Sequence, residues 1–282
     1  MKRLLLLVAL LPCLSLAQVP AAYRGTVLHT GSWSHVALND LGQVGFSTSD
    51  GRPMLWDAVR GATPLPGDVG GVLLFGINNA GTVVGTGSAA WIGDTRPQPL
   101  VWQGGADAAR VAVAGQEGEA KGINSHGVIV GNTGDVFAPG GWFGFIHGDS
   151  GSVYFDDFHP TAINDAGEVV GNGPFGVRRW QDGQLQYVDT TPGATAFALN
   201  SLGWIAGAIL NETWRATLWR PGELVEYLGP GFAYDVNDSG VAVGTALGHA
   251  MLWYQGGAYL LDDLWQQAQP GEWSLLSAEA VN

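Results

Sequence analysis

The sequence has little cysteine, few cations and few charged residues of any kind. Cys13 is the one cysteine among 282 residues, so the chain can form neither an intramolecular disulfide nor a metal site of several thiolates. Lysine and arginine number 12 against 25 acidic residues, which gives a net charge of −13. A chain this acidic repels nucleic acid phosphates and anionic lipids. We therefore expect no nucleic acid partner.

The usual motifs of catalytic and metal sites are also missing. The six histidines are scattered, and the sequence contains no HExxH, no EF-hand loop and no GxSxG. Adjacent acids, Asp156-Asp157 and Asp262-Asp263, fit solvated loops, and their use in glycosidic chemistry would depend on a separation that sequence does not give. We expect no metal and no cofactor, and we assign no catalytic residue.

Long apolar runs are absent, and the longest one lies at the start of the chain. Leu4–Leu11 follows two cations and precedes a small-x-small site that ends at Ala17. A membrane-spanning helix needs about 20 apolar residues, so this run predicts a secretory signal peptide over residues 1–17 and no membrane span. Residues 18–282 then form a single secreted domain, extracellular or periplasmic.

A lipoprotein remains the alternative at this end of the chain, because Cys13 could carry a lipid. Pro12 stands where lipoprotein processing takes a small residue. We therefore expect release after Ala17 rather than lipidation.

Glycine and apolar residues are abundant. The chain has 44 glycines, about twice the usual share, and 12 tryptophans, with 46% hydrophobic and 13% charged residues. This composition excludes a disordered chain. Glycine at this density disfavours long helices and suits short strands joined by tight turns. The composition predicts an all-β protein.

A segment of about ten residues recurs six times, as in "FGINNAGTVVG" and "TAINDAGEVVG", at spacings of 36 to 46 residues. A period near 40 is typical of propellers and solenoids. Asparagine followed three residues later by glycine suits a type I turn between two strands. The repeated pairs are Asn39 and Gly42, Asn78 and Gly81, Asn124 and Gly127, Asn164 and Gly167, Asn200 and Gly203, and Asn237 and Gly240.

Each repeat has room for four strands. A second strand ends in another glycine, which we expect to let neighbouring backbones approach near a crowded axis. A third strand ends in tryptophan in five repeats, and a fourth follows. Four strands per unit favour a β-propeller of six to seven four-stranded blades over a β-solenoid, and the tryptophans are expected to fill the space between blades. They are Trp56, Trp102, Trp180, Trp219 and Trp253.

The repeated pattern resembles the HAF family of extracellular repeat proteins, which are found mostly in bacteria. The resemblance covers residues 23–282, although the third repeat lacks its tryptophan and the His-Ala-Phe triplet survives only as His249-Ala250-Met251. It implies an extracellular location and a propeller-like fold. It supplies no catalytic residues.

The two ends of the domain bear on how a ring would close. "WSLLSAEAVN" ends at Asn282 and matches the first strand of a seventh unit, while "YRGTVLH" from Tyr23 matches a fourth strand. An open propeller would expose unpaired edges. We expect six full blades, closed either by a partial seventh or by terminal strands added to existing blades.

Aromatic and polar residues gather in the longer connections between second and third strands. Aromatic rings beside a few polar groups suit a sugar ring or a partner surface. The alternative is that these tryptophans cap their own blades. The candidate binding residues are Trp91, Asp94, Arg96, Asp135, Trp142, Glu212 and Trp214.

The sequence thus predicts a secreted, monomeric binding or structural propeller for an extracellular carbohydrate or protein. The alternative is a propeller enzyme, of glycoside hydrolase or lyase type, acting on polysaccharide. An enzyme should bring two or three carboxylates together, at least one of them with a perturbed pKa. A third reading is an envelope scaffold without a specific ligand.

Overall fold

The computed structural model describes residues 4–6, 27–30, 35–89, 94–115, 117–134, 141–264 and 274–282. Strands β1 (Leu4–Leu6) and β2 (Val27–Thr30) form a two-stranded sheet. The rest of the predicted signal peptide lies outside the described residues.

Six four-stranded antiparallel sheets follow in chain order, each with its strands in sequential order, and they form the blades of a β-propeller. Blade 1 consists of β3 (Val36–Leu38), β4 (Val44–Ser47), β5 (Pro53–Asp57) and β6 (Gly61–Pro64). Blade 2 consists of β7 (Val69–Ile77), β8 (Val83–Ala89), β9 (Asp94–Trp102) and β10 (Ala109–Arg110). Blade 3 consists of β11 (Glu117–Ile123), β12 (Ile129–Gly134), β13 (Trp142–Gly148) and β14 (Gly151–Phe155).

The remaining blades repeat this arrangement, and the helix α1 (Leu261–Leu264) follows the last of them. Blade 4 consists of β15 (His159–Ile163), β16 (Val169–Gly173), β17 (Gly176–Gln181) and β18 (Gln184–Asp189). Blade 5 consists of β19 (Thr195–Leu199), β20 (Ile205–Asn211), β21 (Thr213–Trp219) and β22 (Glu226–Pro230). Blade 6 consists of β23 (Phe232–Val236), β24 (Ala242–Ala246), β25 (His249–Tyr254) and β26 (Gly257–Leu260).

The first strand of each blade is the inner strand, and from blade 1 to blade 6 it contacts the inner strand of the next blade along the chain. The repeated asparagine ends this strand and begins the turn to the second strand. In blade 3, Gly127 N donates to Asn124 O at 3.1 Å, and Asn124 Oδ1 accepts from the backbone N–H groups of His126 and Val128. Gly127 has a φ of 77°, which glycine adopts without strain.

The same asparagines link the blades into a closed ring. Each side-chain Nδ2 donates to the backbone carbonyl of the next asparagine around the axis, at 2.9 to 3.2 Å. The ring runs from Asn39 through Asn78, Asn124, Asn164, Asn200 and Asn237 to Asn282, and Asn282 donates back to Asn39 O at 3.0 Å. The terminal segment 274–282 therefore lies between blade 6 and blade 1 and closes the six-bladed ring.

In blades 2 to 6 the inner strand carries a β-bulge three residues before the asparagine. The glycine opposite the bulge has no room for a side chain: a Cβ at Gly131 would lie 2.0 Å from Glu119 O. Blade 1 has an unshifted register, and a Cβ at Gly45 would lie no closer than 3.5 Å to another atom. The glycine thus allows the close approach of neighbouring backbones that the sequence predicts, and the two backbones are the first and second strands of its own blade at the bulge.

The hydrophobic core lies mainly between the blades. Trp219 is 4% exposed and packs with Val177 of blade 4 and Ile205 of blade 5, while its indole N–H donates to Asp189 Oδ2 at 2.7 Å. Trp102 and Trp253 are also buried, whereas Trp56 and Trp180 are half-buried. Buried rings of this size contribute both apolar area and a fixed hydrogen bond.

Candidate functional site

The inner strands of a propeller surround its central channel, and in blades 2 to 6 the bulge lies at one residue of the inner strand, three residues before the asparagine. These residues are half-buried and differ from blade to blade, although the residues beside them are mostly small. They are Phe75, Lys121, Thr161, Phe197 and Tyr234, with Glu279 at the equivalent place in the terminal segment.

One side of the channel, which we call the lysine wall, consists of His35, Phe75, Glu119 and Lys121. The Lys121 ammonium lies 3.8 Å from the centre of the Phe75 ring and 2.6 Å from Glu119 Oε2. The His35 ring lies 4.8 Å from the Phe75 ring. Burial lowers the pKa of His35, and the Lys121 charge lowers it further, with a smaller opposing effect of Glu119. A cation, an aromatic face and a carboxylate therefore meet here.

The opposite side, the aromatic wall, consists of Phe197, Trp214, Phe232 and Tyr234. The rings of Phe232 and Tyr234 are nearly parallel, and their centres lie 6.0 Å apart. The Phe197 ring contacts Tyr234 edge-on, with 5.5 Å between the ring centres. Trp214 comes from the third strand of blade 5 and lies 5.0 Å from Phe232, with 36% of its surface exposed. Aromatic faces of four residues are thus collected at one side of the channel.

Glu279 belongs to the terminal segment, which lies beside the inner strand that carries Tyr234, because Val281 N donates to Asp235 Oδ2 at 2.8 Å. Burial raises the pKa of the Tyr234 phenol, and the negative charge of Glu279 raises it further. Burial raises the pKa of Glu279 itself, against a smaller opposite effect of the Ser277 hydroxyl, which donates to its carboxylate. Within the described part of the chain no lysine, arginine or histidine pairs with this carboxylate.

The structure places the predicted binding residues in different surroundings. Trp214 joins the aromatic wall, and Glu212 is exposed at the turn before it. The Arg96 guanidinium lies 3.8 Å from the Glu117 carboxylate, in an ion pair between blade 2 and blade 3. Trp142 is half-buried at the start of β13, where it pairs with Gly134.

The other three predicted residues contribute no described side chain. Asp94 begins β9, where its backbone pairs with Ala89. Trp91 and Asp135 lie outside the described residues.

Sequence reasoning missed the channel residues, although the aligned repeats contain a signal for them. The third residue before each asparagine varies between aromatic, cationic, polar and acidic types, as Phe75, Lys121 and Glu279 show, while its neighbours are mostly small. Variation at one position of an otherwise regular repeat indicates a side chain that does not pack in the core.

The described residues show neither a metal site nor a membrane-spanning helix. Over the described ranges, no three His, Cys, Asp or Glu side chains come together in a way that could hold a metal ion. No helix in the same ranges has the length and apolarity needed to cross a membrane.

No family model and no curated protein matches the sequence, and the resemblance to the HAF family stays a prediction. Solved structures do match. The β-propeller domain of the Trilobed protease from Pyrococcus furiosus, described as having an open velcro topology, aligns with a TM-score of 0.56 and 10% identity over 86% of each chain.

A second match is the uncomplexed acylaminoacyl peptidase of Pyrococcus horikoshii, with a TM-score of 0.55 and 14% identity. It covers 86% of this chain and 46% of the peptidase chain, so the chain spans about half of that protein. At these identities the likeness concerns the fold, and the fold is a β-propeller.

Proposed function

We propose that this protein is a secreted binding propeller that takes an extracellular carbohydrate into the channel, between the aromatic wall and the lysine wall. The supporting observation is the grouping of Phe197, Trp214, Phe232 and Tyr234 in mutual ring contact at one side of the channel. Sugar rings stack on aromatic faces, while a few polar side chains fix their orientation.

A carbohydrate fits this site better than a protein surface does. The bulged residues are half-buried around the axis, and partly covered rings accept a narrow ligand more easily than a flat protein surface. The secreted location rests on the signal-peptide pattern of residues 1–17.

A glycan array with the full-length protein and two tryptophan variants tests the proposal. We expect Trp214→Ala to weaken binding about tenfold, because one stacking ring is worth about 1.5 kcal/mol. Trp142→Ala is the matched control, since Trp142 also lies near the start of a third strand but makes no described contact with the aromatic wall. Equal losses of glycan binding in both variants would place the site on the connections between second and third strands instead of in the channel. No glycan binding by the natural protein would refute the proposal.

The second candidate is an enzyme of glycoside hydrolase or lyase type. Glu279 favours it, because a carboxyl group whose pKa is raised by burial resembles a general acid. The second channel carboxylate, Glu119, is paired with Lys121. The test is whether the protein releases reducing ends from a polysaccharide. Release that the variant Glu279→Gln abolishes would show that the function is catalysis rather than binding.

A further inference from the structure

The two sides of the channel are built from equivalent positions, and this allows a direct comparison. Phe75 and Lys121 are bulged residues of neighbouring blades, and Glu119 lies two residues before Lys121. Tyr234 and Glu279 stand at the same positions in blade 6 and the terminal segment.

On the lysine wall the chain itself supplies all three partners of a cation site. The ammonium of Lys121 is held against the face of Phe75 and by the Glu119 carboxylate. A cation is attracted to an aromatic face, more strongly when it is desolvated, and a carboxylate beside it neutralises its charge.

On the aromatic wall only two of these partners are present among the described residues. The rings of Phe232 and Tyr234 and the carboxylate of Glu279 are there. The hydroxyl of Ser277 is the described side-chain partner of that carboxylate, and no described cation accompanies it. Leaving a half-buried carboxylate without a cation is costly, and an incoming cationic group would remove that cost.

We propose that the aromatic wall and Glu279 recognise a protonated amine on the ligand, so that the carbohydrate is one that carries free amino groups. The inference rests on the proposed function and names its ligand class. The sugar ring stacks on the aromatic wall, and its ammonium group lies between these rings and Glu279, with the same kinds of partner that Lys121 has in Phe75 and Glu119.

The test compares two ligands of equal length by calorimetry with the full-length protein: a glucosamine oligosaccharide, whose amines are free, and its N-acetylated counterpart, which is neutral. We expect the amine form to bind more tightly. Glu279→Gln should weaken binding of the amine form about tenfold or more, the effect of losing a charge-assisted hydrogen bond, and leave the N-acetylated form unchanged.

Asp182→Asn is the matched control for general attraction to an acidic protein, because it removes one exposed carboxylate from the turn between β17 and β18 of blade 4, away from the aromatic wall. Thermal unfolding of each variant checks that the fold is retained, and Tyr234→Leu tests the ring while Glu279 is kept. A loss in Tyr234→Leu that matches the loss in Glu279→Gln supports the site.

Three results would overturn the inference. Equal losses in Glu279→Gln and Asp182→Asn would show attraction by net charge alone. Equal binding of both oligosaccharides would refute recognition of the amine, while the proposal of a carbohydrate ligand would stand. Binding of a lysine-rich peptide in place of either oligosaccharide would refute the carbohydrate as the ligand and with it the proposed function.

Discussion

Asp235 stands two residues before a repeated asparagine, where the other inner strands and the terminal segment have alanine or glycine. Its two carboxylate oxygens accept hydrogen bonds from the backbone N–H groups of Val236 at 2.9 Å and Val281 at 2.8 Å. Val281 belongs to the terminal segment. The one departure from small residues at this position therefore occurs in the blade that holds the closing segment.

Burial raises the pKa of Asp235 to about 7, although its two backbone hydrogen bonds act in the opposite direction. In the unfolded chain the carboxyl has its ordinary value of 3.8. Between these values the folded state binds more protons than the unfolded state, so the free energy of unfolding falls as the pH rises through this window. The fall is at most about 1.4 kcal/mol per pH unit.

The variant Asp235→Asn cannot titrate, and its single amide oxygen cannot accept both backbone N–H groups, so we expect its free energy of unfolding to be lower at acid pH. Its slope across the same window should be smaller than that of the natural protein, because only other groups with a raised pKa, such as Glu279, still contribute. Urea denaturation at a series of pH values measures both curves. Parallel curves for the natural protein and the variant would show that other groups cause the pH dependence.

At the scale of the element, the bulge and its opposing glycine form one unit. The carbonyl that precedes the bulge occupies the space of the missing side chain: a Cβ would lie 2.0 Å from Thr195 O at Gly207 and 1.9 Å from Phe232 O at Gly244. The bulge in turn aims Phe197 and Tyr234 into the channel. The glycine therefore supports the candidate site from the second strand.

Gly131→Ala should destabilise blade 3 by about 2 kcal/mol or more, because the new methyl group meets fixed backbone. Gly45→Ala is the matched control, since blade 1 lacks the bulge and a methyl group there makes only ordinary contacts. Thermal or urea unfolding compares the two variants. Equal destabilisation would show that the bulge is not the reason for the glycine.

The local pattern of the sequence was enough to predict the blade, because each hairpin is encoded within about ten residues. The candidate site could not be predicted in the same way. Phe75 and Lys121 are far apart in sequence and meet only because neighbouring inner strands lie side by side around an axis. Similarly, the bulge that turns Tyr234 into the channel is a register shift, and residue types alone do not show it.

At the scale of the whole molecule, ring closure depends on short contacts of the terminal segment. Ala278 N donates to Gly244 O at 3.1 Å and Leu275 N donates to Asp262 Oδ1 at 2.9 Å. Buried Leu275 and Val281 pack against Leu252 of blade 6. The segment also supplies Glu279, so closure of the ring and completion of the candidate site depend on the same nine residues.

Two asparagines of the ring, Asn124 and Asn282, allow ring closure to be tested separately from the stability of a turn. Asn124 donates to the next asparagine and also accepts two hydrogen bonds within its own turn, whereas Asn282 serves ring closure alone through its bond to Asn39 O. At about 1 kcal/mol per hydrogen bond, Asn124→Ala should lower global stability by about 2 to 3 kcal/mol and Asn282→Ala by about 1 kcal/mol.

Asn282→Ala should nevertheless be the variant that speeds hydrogen exchange selectively at the Ala278 and Val281 amides, because opening of the terminal segment exposes them without unfolding a blade. Mass-spectrometric hydrogen exchange on both variants measures this, and uniform acceleration over all six blades in Asn282→Ala would mean that the ring opens only when the whole propeller unfolds.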